Sequence, residues 1–509
     1  MVTTERPAGA PAARTAGPAA LRRPPVLAAV AVGYAVLQLC YAVAHMGLGW
    51  DESVYLSQVD PRHPAAFFSA PRSRGITFLV APVVALTPST PVLRVVLALL
   101  SAAALYAAYR VWEPLVGRGR PALAAALFAG LWVTVLYGPQ AMPNLWLALA
   151  AVASAGWFLR AHTGGATGRE RRNALLRLAG SLAAATLFRA PDGVWLALPL
   201  LGGCAAVRAW RRPGTVAAVL GGLALGGAQW AVEAYVRFGG VGARLAVSSE
   251  TEGGMGERLG AGLSAAYRSL DGPQLCRPCH IAAPPVGHSL WWLLLPALTA
   301  AACALAVREG RRTPGRGSPR AALTLLPVAC ALALAVPYLL LLDYSAPRFL
   351  LPVYALLALP VAGLAQRAAR AVRALPRAPY RFAVAGVLCA VLAAHLAVQL
   401  RELRVNTADA RDTTVRYRRA ADALARLGVA PPCVVTGPRA QPIAYAAGCA
   451  SEQTMGNNRS TTTDALLRTA SRVPLAVLLD PADASVPPYA RTWHRHPLPG
   501  TDWSVLLPR

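Results

Sequence analysis

The sequence predicts a polytopic α-helical membrane protein carrying a small external α/β domain at its C-terminus. Three observations lead there. Of 509 residues, 55% are hydrophobic and only 14% charged, where an ordinary globular chain is about a quarter charged. Apolar runs of bilayer length recur from the first residues of the body to residue 400. Beyond residue 400 the pattern changes to short β-like runs alternating with helical pieces.

Residues 1–24 are rich in Ala, Pro and Arg, a composition that cannot build a core, and are expected to form a disordered cytoplasmic tail. The run that follows, from Pro25 to Gly47, is long enough to span, so it is read as an anchor and not as a cleaved leader. The predicted spans are approximately 25–47, 92–111, 121–137, 145–160, 176–188, 194–210, 215–236, 289–307, 321–342, 349–366 and 382–400, eleven in all. Several fall short of the roughly 20 residues a span needs and must extend into their flanks. The run Ile76 to Leu86 is too short to cross and reads as an interfacial or re-entrant helix.

The formal charge of +27 comes entirely from arginine, since all 50 basic residues are Arg. Their placement argues against nucleic acid and for a bilayer. Short loops such as Arg308 to Arg320 and Arg367 to Arg381 are densely basic, and the positive-inside rule puts them in the cytoplasm with the N-terminus. The opposite loops carry Asp51, Glu52, Asp60, Asp192, Glu250, Glu252, Glu257, Asp271 and Asp343. An odd span count leaves residues 401–509 outside. There, 402–428 reads as helix, Cys433 to Val435, Leu475 to Leu479 and Trp503 to Leu507 as strands, and the stretches around Tyr445 and Leu466 as helices. The bias toward Arg fits a bacterial plasma-membrane protein of a GC-rich genome.

Five cysteines fall in predicted spans, and four (Cys276, Cys279, Cys433 and Cys449) fall outside. An even external number suits an oxidising compartment, and the simplest pairing is Cys276–Cys279 with Cys433–Cys449. The run Cys276-Arg277-Pro278-Cys279-His280 also has the spacing of a haem c attachment, for which a local disulfide is the plainer reading. Trp493-His494-Arg495-His496 reads as a surface strand or turn, and no phosphate-binding loop, dinucleotide fingerprint or nucleophile elbow occurs.

The stretch Gly49 to Tyr55, just after the first span, carries the chemistry. Asp51 and Glu52 meet the water there between Trp50 and Tyr55, at the head of an external loop over 48–91 that holds Arg72 and Arg74. A carboxylate in that place can take the proton of an attacking hydroxyl; a solvated loop end is the alternative. Arg189 and Arg348 sit in very short external loops, the second in Asp343-Tyr344-Ser345-Ala346-Pro347-Arg348-Phe349. Guanidinium groups at that depth can bind a lipid phosphate, or simply snorkel to headgroups. Glu233 and Arg237, four apart on one helix, should pair.

These features together resemble the GT-C superfamily of membrane glycosyltransferases, which includes protein O-mannosyltransferases, the aminoarabinose transferase of lipid A and the mannosyltransferases of GPI assembly. Asp51-Glu52 is similar to the superfamily's acidic motif in the first external loop, and Arg189 and Arg348 resemble its phosphate-contacting arginines. The resemblance implies inverting transfer of a mannose-like sugar from a polyprenyl-phosphate donor to a hydroxyl acceptor, whether glycan, lipid or protein, on the outer face. Asp51 would be the base, with Glu52 beside it. Arg348, Arg189, Arg74 and Arg72 would hold the phosphate, and Trp50, Tyr55, Asp343 and Tyr344 would line the substrate. No metal or other cofactor is expected. The competing readings are a transporter or flippase of polyprenyl-linked glycans and a non-catalytic envelope assembly protein.

Overall fold

The computed structural model describes residues 26–508 apart from 45, 163–166, 259, 313–316, 457 and 482–484. The tail 1–24 lies outside the described residues. The body is helical, and each of the eleven predicted stretches falls on helix. Among the described residues, eight helices are long and apolar enough to cross a membrane. The shorter or more polar helices Gly119–Ala129, Gly168–Phe188 and Ala190–Ala206 occupy the remaining predicted stretches. The short apolar helix Gly75–Leu86 stands where the interfacial helix was expected.

Burial is graded across this bundle. Pro143–Ala161 and the helix that ends at Arg373 are enclosed on nearly every side. The apolar start of the last helix faces outward, with Phe382, Val387, Val391 and Leu396 all exposed. An apolar surface of that kind is what lipid covers in a spanning helix. Helices Gly168–Phe188 and Pro213–Phe238 meet along small residues. A Cβ at Gly222 would stand 2.7 Å from the Ala179 carbonyl oxygen, and Gly226 approaches Ala183 in the same way one turn on. Glycine lets the two backbones come that close. The first of these helices ends at Arg189, its C-cap, so this packing sets the depth of Arg189.

The last helix runs unbroken from Ala378 to Arg426 over 49 residues. The predicted boundary at 400/401 therefore falls inside one helix. Nothing in 401–426 breaks it, because the stretch holds neither Gly nor Pro. Its outer half packs Tyr417, Ala420 and Leu424 against the external sheet. That sheet comprises β1 (Val434–Thr436), β2 (Ala450–Ser451), β3 (Leu475–Leu479), β4 (His494–Pro497) and β5 (Ser504–Leu507), in the order β2-β1-β3-β5-β4. β1 runs parallel to β2 and β3, and β5 is antiparallel to β3 and β4. Every residue of β1 and β3 is buried, as expected of parallel strands covered on both faces. The predicted strand and helix positions recur here, and His494 to His496 lies on the exposed edge strand β4. Cys276 is bonded to Cys279 and Cys433 to Cys449, with Cα atoms 4.7 and 4.8 Å apart. Both sulfurs of the haem-like spacing are thus in a disulfide.

Candidate active site

A cavity of about 330 Å³ opens between the bundle and the C-terminal domain. It gathers Trp50, Asp51, Tyr55, Arg72, Arg189, Tyr344 and Arg348, which lie as far as 298 positions apart along the chain. The helix Trp50–Ser57 presents the acid. Its first turn carries Asp51 and Glu52, where the positive helix end favours carboxylates.

Asp51 is clamped between two guanidinium groups. Arg72 Nη2 lies 2.7 Å from one carboxylate oxygen and Arg348 Nη2 lies 2.8 Å from the other. Burial pushes the Asp51 carboxyl up, but Arg72 and Arg348, with a smaller contribution from Arg189, outweigh it and hold the acid below its ordinary value. The side chain nevertheless remains 27% exposed, so a substrate can reach it. Arg72 is steadied by Ser69 at 3.2 Å and lies over the Tyr55 ring. Arg348 donates to the Gln274 carbonyl at 2.9 Å and lies over Tyr137 and Phe349. Arg189 pairs with Asp192, whose carboxylate also accepts from the Tyr338 hydroxyl at 2.7 Å.

Three predicted site residues take other roles. Glu52 is buried, with 2% exposure. It accepts from Arg94 at 2.5 Å, from the Ala141 N–H at 2.6 Å and from the Gly49 N–H at 3.0 Å. With its oxygens filled it ties the helix Trp50–Ser57 to the span that contains Arg94. Arg74 turns away from the cavity to Glu233, at 2.7 Å. Glu233 also pairs with Arg237, as expected, and with Arg244. Arg74 therefore serves an arginine–carboxylate cluster and not the cavity. Asp343 lies outside the cavity and faces Arg258 at 3.6 Å, while the neighbouring Tyr344 points inward and donates to Glu252.

The cavity wall also holds residues that the sequence did not single out. Glu252 is one, its carboxyl pushed up by burial. Arg277, within the small Cys276–Cys279 loop, is another and lies 4.3 Å over the Tyr344 ring. Asn144 is a third. It stands in the first turn of Pro143–Ala161, is 1% exposed, and neither its amide nitrogen nor its oxygen has a protein partner. A buried unsatisfied amide is costly unless a ligand completes it. Its signal in the sequence was faint: an Asn just after a Pro at a predicted span start.

A second contact joins the loop to the external domain. Asp60 accepts from Arg62 at 2.7 Å and from the Tyr445 hydroxyl at 2.7 Å, and His63 stacks on the Tyr445 ring at 4.2 Å. The loop 48–91 and the C-terminal domain are thereby held together. Among the described residues, one group has metal-ligating geometry: Asp271, His288 and Glu402. None of the three lines the cavity. Arg401 already donates to Glu402 at 2.5 Å, which gives that carboxylate a cationic partner.

No protein-family model matches the sequence, and no curated protein matches it significantly. Solved structures do match. The crystal structure of ArnT from Cupriavidus metallidurans bound to undecaprenyl phosphate superposes with a TM-score of 0.65 at 13% identity, over 95% of this chain and 97% of that one. This chain has the ArnT-like fold. The Archaeoglobus fulgidus oligosaccharyltransferase is also similar, with a TM-score of 0.52 and 12% identity over 89% of this chain and 69% of that one. A complex of the same archaeal enzyme, AglB, with an inhibitory peptide and a dolichol-phosphate gives a TM-score of 0.52 and 13% identity over 84% of this chain and 64% of that one. At the level of fold, the resemblance to the GT-C superfamily read from the sequence is borne out.

Proposed function

We propose that this ArnT-like chain is an inverting membrane glycosyltransferase that moves a sugar from a polyprenyl-phosphate donor to a hydroxyl acceptor on the outer face. The observation that carries this reading is the clamp on Asp51. Arg72 and Arg348 come from separate segments and meet on one carboxylate in a reachable cavity. Arg189 stands in the same wall, and the ArnT structure of this fold was solved with a lipid phosphate bound.

The step runs as a single displacement. The bond from the sugar's anomeric carbon to the phosphate oxygen breaks, and both its electrons leave with the polyprenyl phosphate. The acceptor oxygen forms the new bond on the opposite face, and its proton goes to Asp51. In the free protein Asp51 is a weak base, because two arginines stabilise its anion. A donor phosphate competes for those same arginines. Drawn toward it, they release Asp51, whose basicity then rises when an acceptor needs it. They also neutralise the second negative charge that appears on the leaving phosphate. Asn144, with its unfilled amide, is placed to contact the donor. This chemistry calls on no metal, and the mannose-like identity of the sugar rests on the superfamily resemblance alone.

The test uses purified protein in nanodiscs, given polyprenyl-phosphate sugars with mannose, aminoarabinose and glucose head groups. Release of polyprenyl phosphate with formation of a glycoside of inverted anomeric configuration is expected from one of them. Absence of turnover with every donor, or a product of retained configuration, overturns the reading.

We place the N-terminus in the cytoplasm and the external domain outside, a multi-pass arrangement in a bacterial plasma membrane, from the distribution of arginine. A membrane-impermeant thiol reagent applied from outside should label Ser460→Cys and miss Glu309→Cys. The reverse pattern rejects the orientation.

A further inference from the structure

A second crevice, of about 280 Å³, lies on the external domain above the active site. It forms at the carboxyl ends of β1 and β3, past Thr436 and Leu479. The chain leaves β1 for β2 on one side and returns to β3 on the other, so this is the point where the strand order reverses. Crevices at such points are where open α/β sheets take their ligands.

Its chemistry contrasts with that of the cavity below. The lining side chains with hydrogen-bonding groups are Thr436, Gln453, Thr454, Asn458 and Ser485, together with the ring and hydroxyl of Tyr489. Among the described residues no charged side chain lines it. The cavity below has Arg72, Arg189, Arg277 and Arg348. Amides and hydroxyls both donate and accept, and aromatic faces offer flat apolar area. Together they complement a ligand with many hydroxyls and no charge. Gln453 is held across the crevice by its amide nitrogen, which donates to the Gly437 carbonyl at 3.1 Å.

The crevice adjoins the candidate active site. Trp50 and Asn458 line both, and a narrow gap lined by the same two residues with Gln441, Ser451 and Ser460 lies beside them. Trp50 immediately precedes Asp51 on the catalytic-loop helix. A chain lying in the crevice and passing Trp50 arrives with its end at the carboxylate.

We infer that this crevice binds the acceptor, and that the acceptor is an uncharged glycan whose terminal hydroxyl is delivered past Trp50 to Asp51. The inference rests on the transferase reading for the delivery but not for the binding. The apolar side chains of the lining, Trp50, Pro438, Met455, Leu478, Leu479 and Pro487, offer faces on which sugar rings can lie, while a phosphorylated or uronic-acid acceptor would need cations, which the described lining lacks.

The test measures binding and turnover separately, with the full chain in nanodiscs. The probes are neutral hexasaccharides of the gluco, manno and galacto series, a hexagalacturonate, and a Ser/Thr-rich peptide. Saturation-transfer NMR should report binding of at least one neutral series. Gln453→Ala should weaken that binding at least fivefold, and Thr454→Trp, which fills the crevice, should abolish it. Asp51→Asn should keep it. Thermal unfolding of each variant guards against a folding defect, and the two substitutions act by opposite changes in volume. Binding confined to the hexagalacturonate or the peptide overturns the inference, as does neutral-glycan binding that neither variant disturbs. If the wild type consumes no donor yet binds glycan in a Gln453-dependent way, the crevice stands and the transferase reading falls. If it transfers sugar but binds no neutral glycan, the reverse holds.

Discussion

Replacing Asp51 by Asn should lower sugar transfer by roughly two to four orders of magnitude, the range expected when a general base is removed. The substitution keeps the shape of the side chain and removes the proton acceptor. Both arginines lose their carboxylate partner at 2.7 and 2.8 Å, which leaves them free for phosphate. Donor binding should therefore survive or strengthen while turnover collapses. That combination separates a catalytic Asp51 from one that only holds the loop. The pH profile of the wild type gives a second measure. The charged carboxylate is the active form, and its value in the free protein lies below the ordinary one. Activity referred to free enzyme should stay level through mildly acidic pH and fall only below the usual aspartate range. Near-normal transfer by Asp51→Asn would place the base elsewhere.

Arg348→Ala should cost on the order of a hundredfold or more in kcat/KM, because it removes a donor aimed at charge that grows on the leaving phosphate. The loss should fall on donor binding and on turnover together, since the phosphate is charged before and after transfer. Arg348→Lys should recover only part, because a single ammonium cannot span both Asp51 and the Gln274 carbonyl as the guanidinium does. The same change has a signature that a merely structural role would not produce. Asp51 loses one of its two cationic partners, so the acid limb of the pH profile should move upward. An Arg348→Ala protein with unchanged donor affinity and an unmoved acid limb would remove Arg348 from the site.

The fold was legible because its signals are long. Apolar runs and arginine-rich loops mark spans without any tertiary information, and β1 and β3 announced themselves as apolar β-branched or aliphatic runs. Six of the seven predicted residues that share the cavity were legible for a related reason: each lies close to a predicted span end, while Arg72 stands inside the loop 48–91. Partner choice was not legible. Asp51 and Glu52 are adjacent and chemically alike, yet helical spacing sends one to the cavity and the other into the bundle, toward an Arg94 buried in the next span. Arg72 and Arg74 divide in the same way, because Glu233 on a distant helix claims the second. Asn144 and Glu252 became visible only once the walls had been assembled around them. The domain boundary set at 400/401 falls inside one helix for the opposite reason. Hydropathy falls at Arg401, but the backbone has no cause to stop there.

That unbroken helix gives the C-terminal sheet a continuous support rooted in the bundle. At about 1.5 Å per residue its 49 residues reach about 70 Å. A span needs only about 20 of them, so more than half of the helix stands clear of the hydrocarbon. Its apolar half is almost wholly exposed, but the stretch that follows is clamped to the bundle: Gln399 accepts from the Trp132 N–H at 2.9 Å, Leu403 is buried in the bundle core, and Asn406 donates to the Asp271 carbonyl at 2.9 Å. Beyond that clamp about 20 residues, or about 30 Å of helix, carry the far end. The sheet rides on that end through Tyr417 and Leu424, while Trp50 is fixed to the bundle. The bundle therefore fixes where the crevice stands over Asp51, and the contact between Asp60 and Tyr445 adds a second tie.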